Sequence, residues 1–442
     1  MARTEKTKYL IIGNSSGGIG AAEAIREADK TGAITIISDE PYPAYSRPLI
    51  SEYLAERRPL ERMLFRPPDF YEKSNIQALF GEKAAKVDFN ERTVKLESGR
   101  TLAWQKLLLA SGGLPIVPGI EGMGLKEVFT FTRLDDAREI DQFLNQYGRR
   151  VRAVVIGGGL IGVSVTEALV KRGVEVAVVE MKERILNTIL DEEASALEEK
   201  ALMQAGVEII TGHTVDRLGS DSPQEPIIAS LDDGRPMPCE VVIVAIGVQP
   251  RLELVADAGI KTNRGIVVDR HMATSQPDVY ACGDVAEAYD FVSGENRLTP
   301  VWPNAYTGGR TAGFNMAGIA AEYQGGTLVS SLKYFGVDIV AAGVVTPPDE
   351  GYEVVREKHG DIYRKVVMKD RRIAGMLFAG DIEKSGIIYN LMKDRVDVDR
   401  FKEALVADDF GLASLPGEVW RARLAMPPSV AEPEEALVGG QL

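Results

Sequence analysis

The stretch Val151-Arg-Ala-Val-Val-Ile-Gly-Gly-Gly-Leu-Ile-Gly162 decides the fold. Its first half is a short apolar run rich in β-branched residues, the pattern of a strand buried on both faces. Glycines at 157, 158, 159 and 162 follow, where a chain must turn tightly into a helix and let its backbone approach another group. Val163 to Lys171 then reads as a helix and Val174 to Val179 as the next strand, which ends on Glu180. Strand, glycine turn, helix, strand and terminal acid come in the order of a βαβ unit that binds a dinucleotide. Helix-start amides and the macrodipole meet a pyrophosphate there, and the acid accepts from ribose hydroxyls. Glu180 would repel a 2′-phosphate, which favours NAD over NADP although Lys182 and Arg184 lie close in sequence.

A second copy of this order opens the chain. Tyr9 to Ile12 is a buried-strand run, Gly13-Asn-Ser-Ser-Gly-Gly18 a turn, Ala21 to Ala28 a helix, and Ile34 to Ile37 a strand running into Ser38-Asp39-Glu40. Ser15 stands where the second fingerprint glycine belongs; its Cβ would crowd a pyrophosphate, or its hydroxyl would donate to one. The proline-rich loop Pro41 to Ile50 carries Arg47, read as a second clamp on phosphate rather than a solvated charge. Leu60 to Phe80 reads as loop and helix, and Ala84–Val87 with Val94–Leu96 as small antiparallel strands. Leu107 to Ala110 is again an apolar strand, ending on Ser111-Gly112-Gly113, and Val241 to Ile246 is another, ending on Gly247. The strand Asp278-Val-Tyr-Ala-Cys-Gly-Asp284 is small at its end, permissive at Gly283 and acidic at Asp284, which suits a backbone passing a flat ligand that bears hydroxyls. Trp302 to Tyr306 precedes a small-residue helix expected over Gly308 to Ala321. Beyond Thr327, strands at Ile339–Val345, Ile362–Met368 and Ile373–Phe378 followed by helices mark a separate α+β domain.

Composition narrows the class. A chain of 442 residues exceeds one core, so two or three domains are expected, and 45% hydrophobic content with 44 glycines describes a globular protein rich in tight turns. The net charge of -14 argues against nucleic acid as a partner. Cys239 and Cys282 are the 2 cysteines, too few for a disulfide scaffold or an iron–sulfur cluster. The charged start and the short Tyr9–Ile12 run fit neither a signal nor a membrane span, so a cytoplasmic location is expected. His213, His271 and His359 lack metal-ligand spacing, and no metal is expected. Asp191 to Glu193 with Glu198 and Glu199 reads as a solvated helix face.

The motifs GNSSGG, YSRPLISEYL, LLLASGGLP, VVIGGGLIG, AIGVQP and YACGDVAE together resemble the two-dinucleotide-domain flavoproteins of the pyridine nucleotide-disulfide oxidoreductase family, and most resemble its NADH:rubredoxin and ferredoxin reductase branch. The resemblance implies an α/β fold of two Rossmann-like domains, the NAD unit (121–247) inserted in a FAD unit (1–120 and 248–326). A C-terminal α+β interface domain (327–425) would follow, with 426–442 expected to be disordered. It implies FAD on Gly13, Ser15, Ser16 and Gly18 with Asp39 or Glu40 as its acid. Arg47, Pro48, Ser111, Gly112 and Trp302 would approach the cofactor, and Ala84 would lend its backbone to the adenine. Gly283, Asp284 and Val285 would hold the ribityl side, with a short helix near Val285 aimed at the flavin. NAD would lie over Gly157, Gly159, Leu160, Ile161 and Gly162, with Glu180 on its ribose and Gly247 alongside.

Two departures from the family carry weight. The redox cysteine of its disulfide and peroxide reductases aligns with Pro48, so thiol chemistry of that kind is excluded and Cys282 reads as packing. A Lys–Glu pair of the ferredoxin reductases aligns with Ser51 and Ser164, both replaced together, as loss of a buried ion pair requires. The function implied is hydride transfer between NADH and FAD with single electrons passed to or from an iron–sulfur or rubredoxin/ferredoxin-type carrier, the flavin rather than any side chain carrying the chemistry. The alternatives are a FAD subunit of a multi-subunit aldehyde or 2-oxoacid oxidoreductase that reduces NAD, an NADH-responsive interaction module, and an NADH oxidase. The chain is expected alone, as a homodimer, or in a larger complex.

Overall fold

The computed structural model describes residues 4–147, 150–220, 226–256, 258–417, 419 and 421; the expected tail at 426–442 lies outside them. Three sheets carry the molecule. In the first, Ile76–Phe80, Ile34–Ser38, Glu5–Ile12 and Thr101–Leu109 lie side by side in parallel, and Val279–Ala281 pairs in parallel with the end of the Thr101–Leu109 strand. Leu10, Ile11, Ile36, Leu107 and Leu108 are fully buried, because such a sheet is covered by chain on both faces. Ala84–Asp88 and Thr93–Leu96 extend it as the antiparallel pair expected.

The second sheet is parallel throughout, in the order Glu208–Thr211, Glu175–Glu180, Arg152–Ile156, Val241–Val244, Val128–Thr130. The chain leaves the first sheet through Gly113–Pro115 and comes back through Val248–Pro250, and these two crossing segments pair antiparallel. The doubly parallel α/β architecture expected from the sequence is therefore observed. The third sheet is antiparallel, in the order Val329–Tyr334, Val337–Gly343, Arg372–Ala379, Ile362–Lys369, Glu353–His359, with the Ser385–Lys393 helix packed beside it.

Several elements depart from expectation. Ile76–Phe80 is an edge strand rather than loop or helix; its half-polar run IQALF hides it. Val329–Tyr334 and Glu353–His359, both polar enough to lie at sheet edges, were likewise illegible. No helix starts at Val285: Gly283–Val285 is one turn of 3-10 helix that runs straight into the strand Ala286–Asp290. The small-residue helix runs Trp302–Met316, not 308–321, because Pro303 at its first turn sets the start. Of the acids expected on a solvated face, Glu192 is exposed as expected, but Glu198 is fully buried and Asp191 caps the Glu192–Gln204 helix.

What positions the first glycine turn is a close crossing of two helices, Ser16–Ala28 and Trp302–Met316. A Cβ on Gly309 would lie 2.0 Å from the Gly17 carbonyl oxygen, and one on Gly313 2.4 Å from that of Ala21. These glycines are packing residues: only a hydrogen fits between the two backbones.

Candidate functional site

The two glycine turns are built on one set of contacts. In the first, the Gly13 amide donates to the Ile37 carbonyl at 2.9 Å and the Ala110 amide to Ile12 at 2.8 Å; in the second, Gly157 donates to Val179 and Ala245 to Ile156, each at 2.8 Å. Gly13 (φ +117°) and Gly157 (φ +107°) occupy backbone that other residues rarely adopt, and a Cβ on either would strike the next strand's end at Ala110 or Ala245. Gly18 and Gly162 admit the helix: a Cβ there would sit 2.0 Å and 1.9 Å from the Gly13 and Gly157 oxygens. Each turn therefore delivers a helix start, of Ser16–Ala28 and Leu160–Lys171, to the mouth of its sheet.

These mouths fit a dinucleotide phosphate. Gly159 caps the Leu160–Lys171 helix and a Cβ on it would meet nothing within 4 Å, the open space that a pyrophosphate approaching the helix amides needs. Ser15 caps Ser16–Ala28 without using its side chain for the cap, so its hydroxyl is free to donate. Ser16 turns away and donates to the Trp302 carbonyl at 3.0 Å, tying the two crossing helices together at their starts. Leu160 and Ile161 form the first turn beyond Gly159, with Leu160 exposed.

The acids at the strand ends behave differently. Glu180 accepts from the Gly158 amide at 2.7 Å and from Lys182 N–H at 2.8 Å, so its carboxylate rests on the second glycine turn. Glu40 is buried and taken up by the Tyr45 hydroxyl at 2.7 Å and by Arg47, which also donates to the Thr132 carbonyl. Asp39 pairs with Arg133 at 2.7 Å and Arg251 at 2.9 Å. Burial raises the proton affinity of Asp39, but the two guanidinium groups more than offset this and hold it below the usual carboxylate range. Asp39 with Arg133 and Arg251, and Glu40 with Arg47, thus form two neighbouring ion pairings, and Arg47 is held by an acid rather than free. Arg133 and Arg251 escaped the sequence reading because each lies far from Asp39 in the chain.

At the end of the first sheet, Gly112 (φ +71°) and Gly283 (φ +74°) make the turns that bring Ser111 and Asp284 to one side; the Ser111 hydroxyl donates to the Arg251 carbonyl at 3.3 Å. Burial raises the proton affinity of Asp284, opposed by the Arg47 charge. Val285 is buried behind it. Cys282 is fully buried, with its thiol pushed up to about 12 by burial and by the Asp284 charge, so it stays protonated and inert. Trp302 meets the Phe65 ring edge-on at 5.1 Å. Gly247 (φ +122°) accepts from the Ile116 amide across the crossing segments. Ala84 is buried at the start of its strand, in register with Leu96.

Pro48 and Ser51 line a cavity of about 500 Å³ that also meets Ser164, Glu167, Tyr334 and Gly336. The two serines that align with the missing Lys–Glu pair thus line one cavity, and Tyr334, unforeseen because it comes from the third sheet, lines it with them. His213, its Nδ1 2.9 Å from Asp232, also approaches Asp233, a grouping its spacing concealed; Arg235 occupies Asp233 at 2.6 Å and the cluster reads as a surface ion-pair network.

Comparison with known proteins finds that residues 7–309 match the family described as pyridine nucleotide-disulphide oxidoreductase and residues 329–396 that described as rubredoxin NAD+ reductase C-terminal domain. The chain is 30% identical over 428 residues to subunit epsilon of the NADH-dependent phenylglyoxylate dehydrogenase of Aromatoleum evansii, covering 94% of this chain and 99% of that one. It is 31% identical over 378 residues to the NADH-rubredoxin oxidoreductase of Clostridium acetobutylicum, covering 86% and 92%. The chain spans only 51% of the assimilatory nitrate reductase electron transfer subunit of Bacillus subtilis, to which it is 28% identical over 91% of its own length. Among solved structures, putidaredoxin reductase in its covalent complex with putidaredoxin superposes with a TM-score of 0.83 at 25% identity, covering 94% and 98%.

Proposed function

Because this chain belongs to the pyridine nucleotide-disulphide oxidoreductase family, we infer that it is an NADH-dependent flavoprotein reductase exchanging electrons with an iron–sulfur or rubredoxin-type carrier. The observation that carries this reading is the pair of glycine turns, alike contact for contact, each at the mouth of its own parallel sheet. Two nucleotides need two such mouths, and the C-terminal match to rubredoxin reductases points to the carrier. Bound at the first turn, FAD would take up a hydride from NADH and release electrons one at a time.

The chain's own residues then have these roles. Gly13, Ser15 and Gly18 would present the Ser16–Ala28 helix start to the FAD pyrophosphate, with Ser16 fixing that helix against Trp302. Asp284 would accept from a ribityl hydroxyl. The Trp302–Met316 helix, whose start lies beside Gly283, would aim its positive end at the flavin in place of the helix expected near Val285. Gly157, Gly159 and Gly162 would bring the Leu160–Lys171 amides to NAD, and Glu180 would take its ribose. We assign the domains at 1–120 with 248–326, 121–247 and 327–425, and a cytoplasmic location; among the described residues no helix is long and apolar enough to cross a membrane. Purified protein should carry flavin absorbance that NADH bleaches under anaerobic conditions and that rubredoxin restores. Absence of flavin, or no bleaching by NADH, refutes the reading.

A second reading is favoured by one observation: the match to subunit epsilon of phenylglyoxylate dehydrogenase spans 99% of that subunit. On this reading the chain is the FAD subunit of an oxidoreductase complex and passes electrons to NAD. Co-purification with a cysteine-rich chain favours it; a free monomer or homodimer that reduces rubredoxin counts against it.

A further inference from the structure

Glu198 stands on the Glu192–Gln204 helix, fully buried, and neither of its carboxyl oxygens has a hydrogen-bond partner. A buried, unpaired carboxylate is among the costliest groups a fold can hold, so the position demands a neutral, protonated acid. Its surroundings add to that demand. The Glu167 charge on the Leu160–Lys171 helix reaches it, and Glu167 pairs with Lys171 at 2.9 Å and accepts from the Phe335 N–H at 2.9 Å. Tyr334 feels the charge of both glutamates and lines the same cavity as Ser164. Phe335 (φ +48°) and Gly336 (φ +87°) form the tip that joins Val329–Tyr334 to Val337–Gly343. That hairpin tip is therefore docked on the Leu160–Lys171 helix through Glu167, near Glu198.

The remaining charged groups on the elements packed around Glu198 are otherwise engaged. Asp338 on the hairpin pairs with Lys333 at 2.9 Å, and Glu208 on the neighbouring strand is exposed. On Glu198's own helix, Glu199 accepts from the Ile185 amide and Lys200 pairs with Asp361.

We propose that Glu198 is a protonation-controlled latch: neutral, it lets the Val329–Gly343 hairpin close on the Leu160–Lys171 helix, and ionised, it drives the hairpin tip off and opens the cavity walled by Tyr334 and Gly336. Burial and the Glu167 charge push Glu198 up to about 8 from an ordinary value of 4.5. The closed state binds this proton more tightly than the open one, so closure is strongest below the ordinary value and weakens as pH rises through the interval; above about 8 the loss is complete and the profile levels. Because the cavity wall includes Pro48 and Ser51, the latch governs access to the junction between the two nucleotide units.

The test is hydrogen–deuterium exchange of the full chain as purified, corrected for the intrinsic pH dependence of exchange. Protection of the tip residues 334–336, above all the Phe335 amide that donates to Glu167, should fall at least about tenfold between pH of roughly 5.5 and 8.5 and then level off, while Glu353–His359 in the same sheet keeps its protection. Glu198→Gln, a neutral isostere, should hold the hairpin closed at every pH. Glu198→Met gives the same flat profile if the glutamine variant does not fold. Equal pH profiles in the unaltered protein and in either neutral variant overturn the latch. The readout needs no nucleotide turnover, so its outcome is independent of the proposed reaction.

Discussion

Asp284 and Cys282 lie two residues apart and do opposite work. Asp284 follows the first sheet's last strand with a proton affinity that burial raises, whereas Cys282 is sealed in the core as an un-ionised thiol. Asp284→Ala removes a charged hydrogen-bond acceptor of about 1.5–3 kcal/mol and should weaken FAD retention roughly tenfold or more, measured by flavin release on dilution. Cys282→Ala should leave NADH-dependent flavin reduction nearly intact; loss of turnover in that variant alone would mean the thiol takes part. Asp39 makes a different kind of prediction. Its pairing with Arg133 and Arg251 depresses its proton affinity, so the stability it contributes is present above the ordinary aspartate range and is lost as pH falls through its lowered value. Asp39→Asn should cost roughly 2 kcal/mol near neutrality, read by urea unfolding, and should flatten the acid limb of the stability profile.

Elements show why glycines of one sequence pattern have unlike roles. Gly162 and Gly309 are places where a Cβ would strike backbone at about 2 Å, whereas Gly159 faces open space. Gly309→Ala forces apart the crossing of Ser16–Ala28 with Trp302–Met316 and should destabilise by about 3 kcal/mol or more, with flavin lost before the fold. Gly159→Ala should fold with unchanged stability yet raise the KM for NADH at least about tenfold, because the added methyl occupies the phosphate approach. If both variants cost stability alike, the open space at Gly159 has no functional meaning. The sequence pattern placed both turns correctly, and with them the strands and helices on either side. It could not distinguish a packing glycine from a binding one, since that depends on what lies across the gap.

Across the whole molecule, the third sheet is bound to the second nucleotide unit by the Glu192–Gln204 helix. Asp191 at its start accepts from Lys365 at 2.8 Å and from the Tyr363 hydroxyl at 2.8 Å, and Glu193 pairs with Lys358. Lys365 is almost wholly buried, so Lys365→Met leaves Asp191 short of a cation in a place water hardly reaches; a loss of about 2 kcal/mol is expected by thermal unfolding. A three-sheet arrangement of this kind lets the C-terminal hairpin form one wall of the cavity beside Pro48. The third sheet in this way walls the cavity together with the first two units.

The two βαβ units and their order along the chain are written in contiguous residues, as periodicity and glycine spacing, whereas the insertion of one in the other and the loss of a redox cysteine at Pro48 were legible only through the resemblance to a family. Tertiary packing alone pairs Asp39 with Arg133 and Arg251 and Arg47 with Glu40, buries Glu198 within reach of the Glu167 charge, starts the helix beside Gly283 at Trp302 and not at Val285, and sets Tyr334 beside Ser164 in one cavity. These are meetings between residues far apart in the chain, fixed by how sheets and helices stack, and a one-dimensional pattern carries no record of distance across the core.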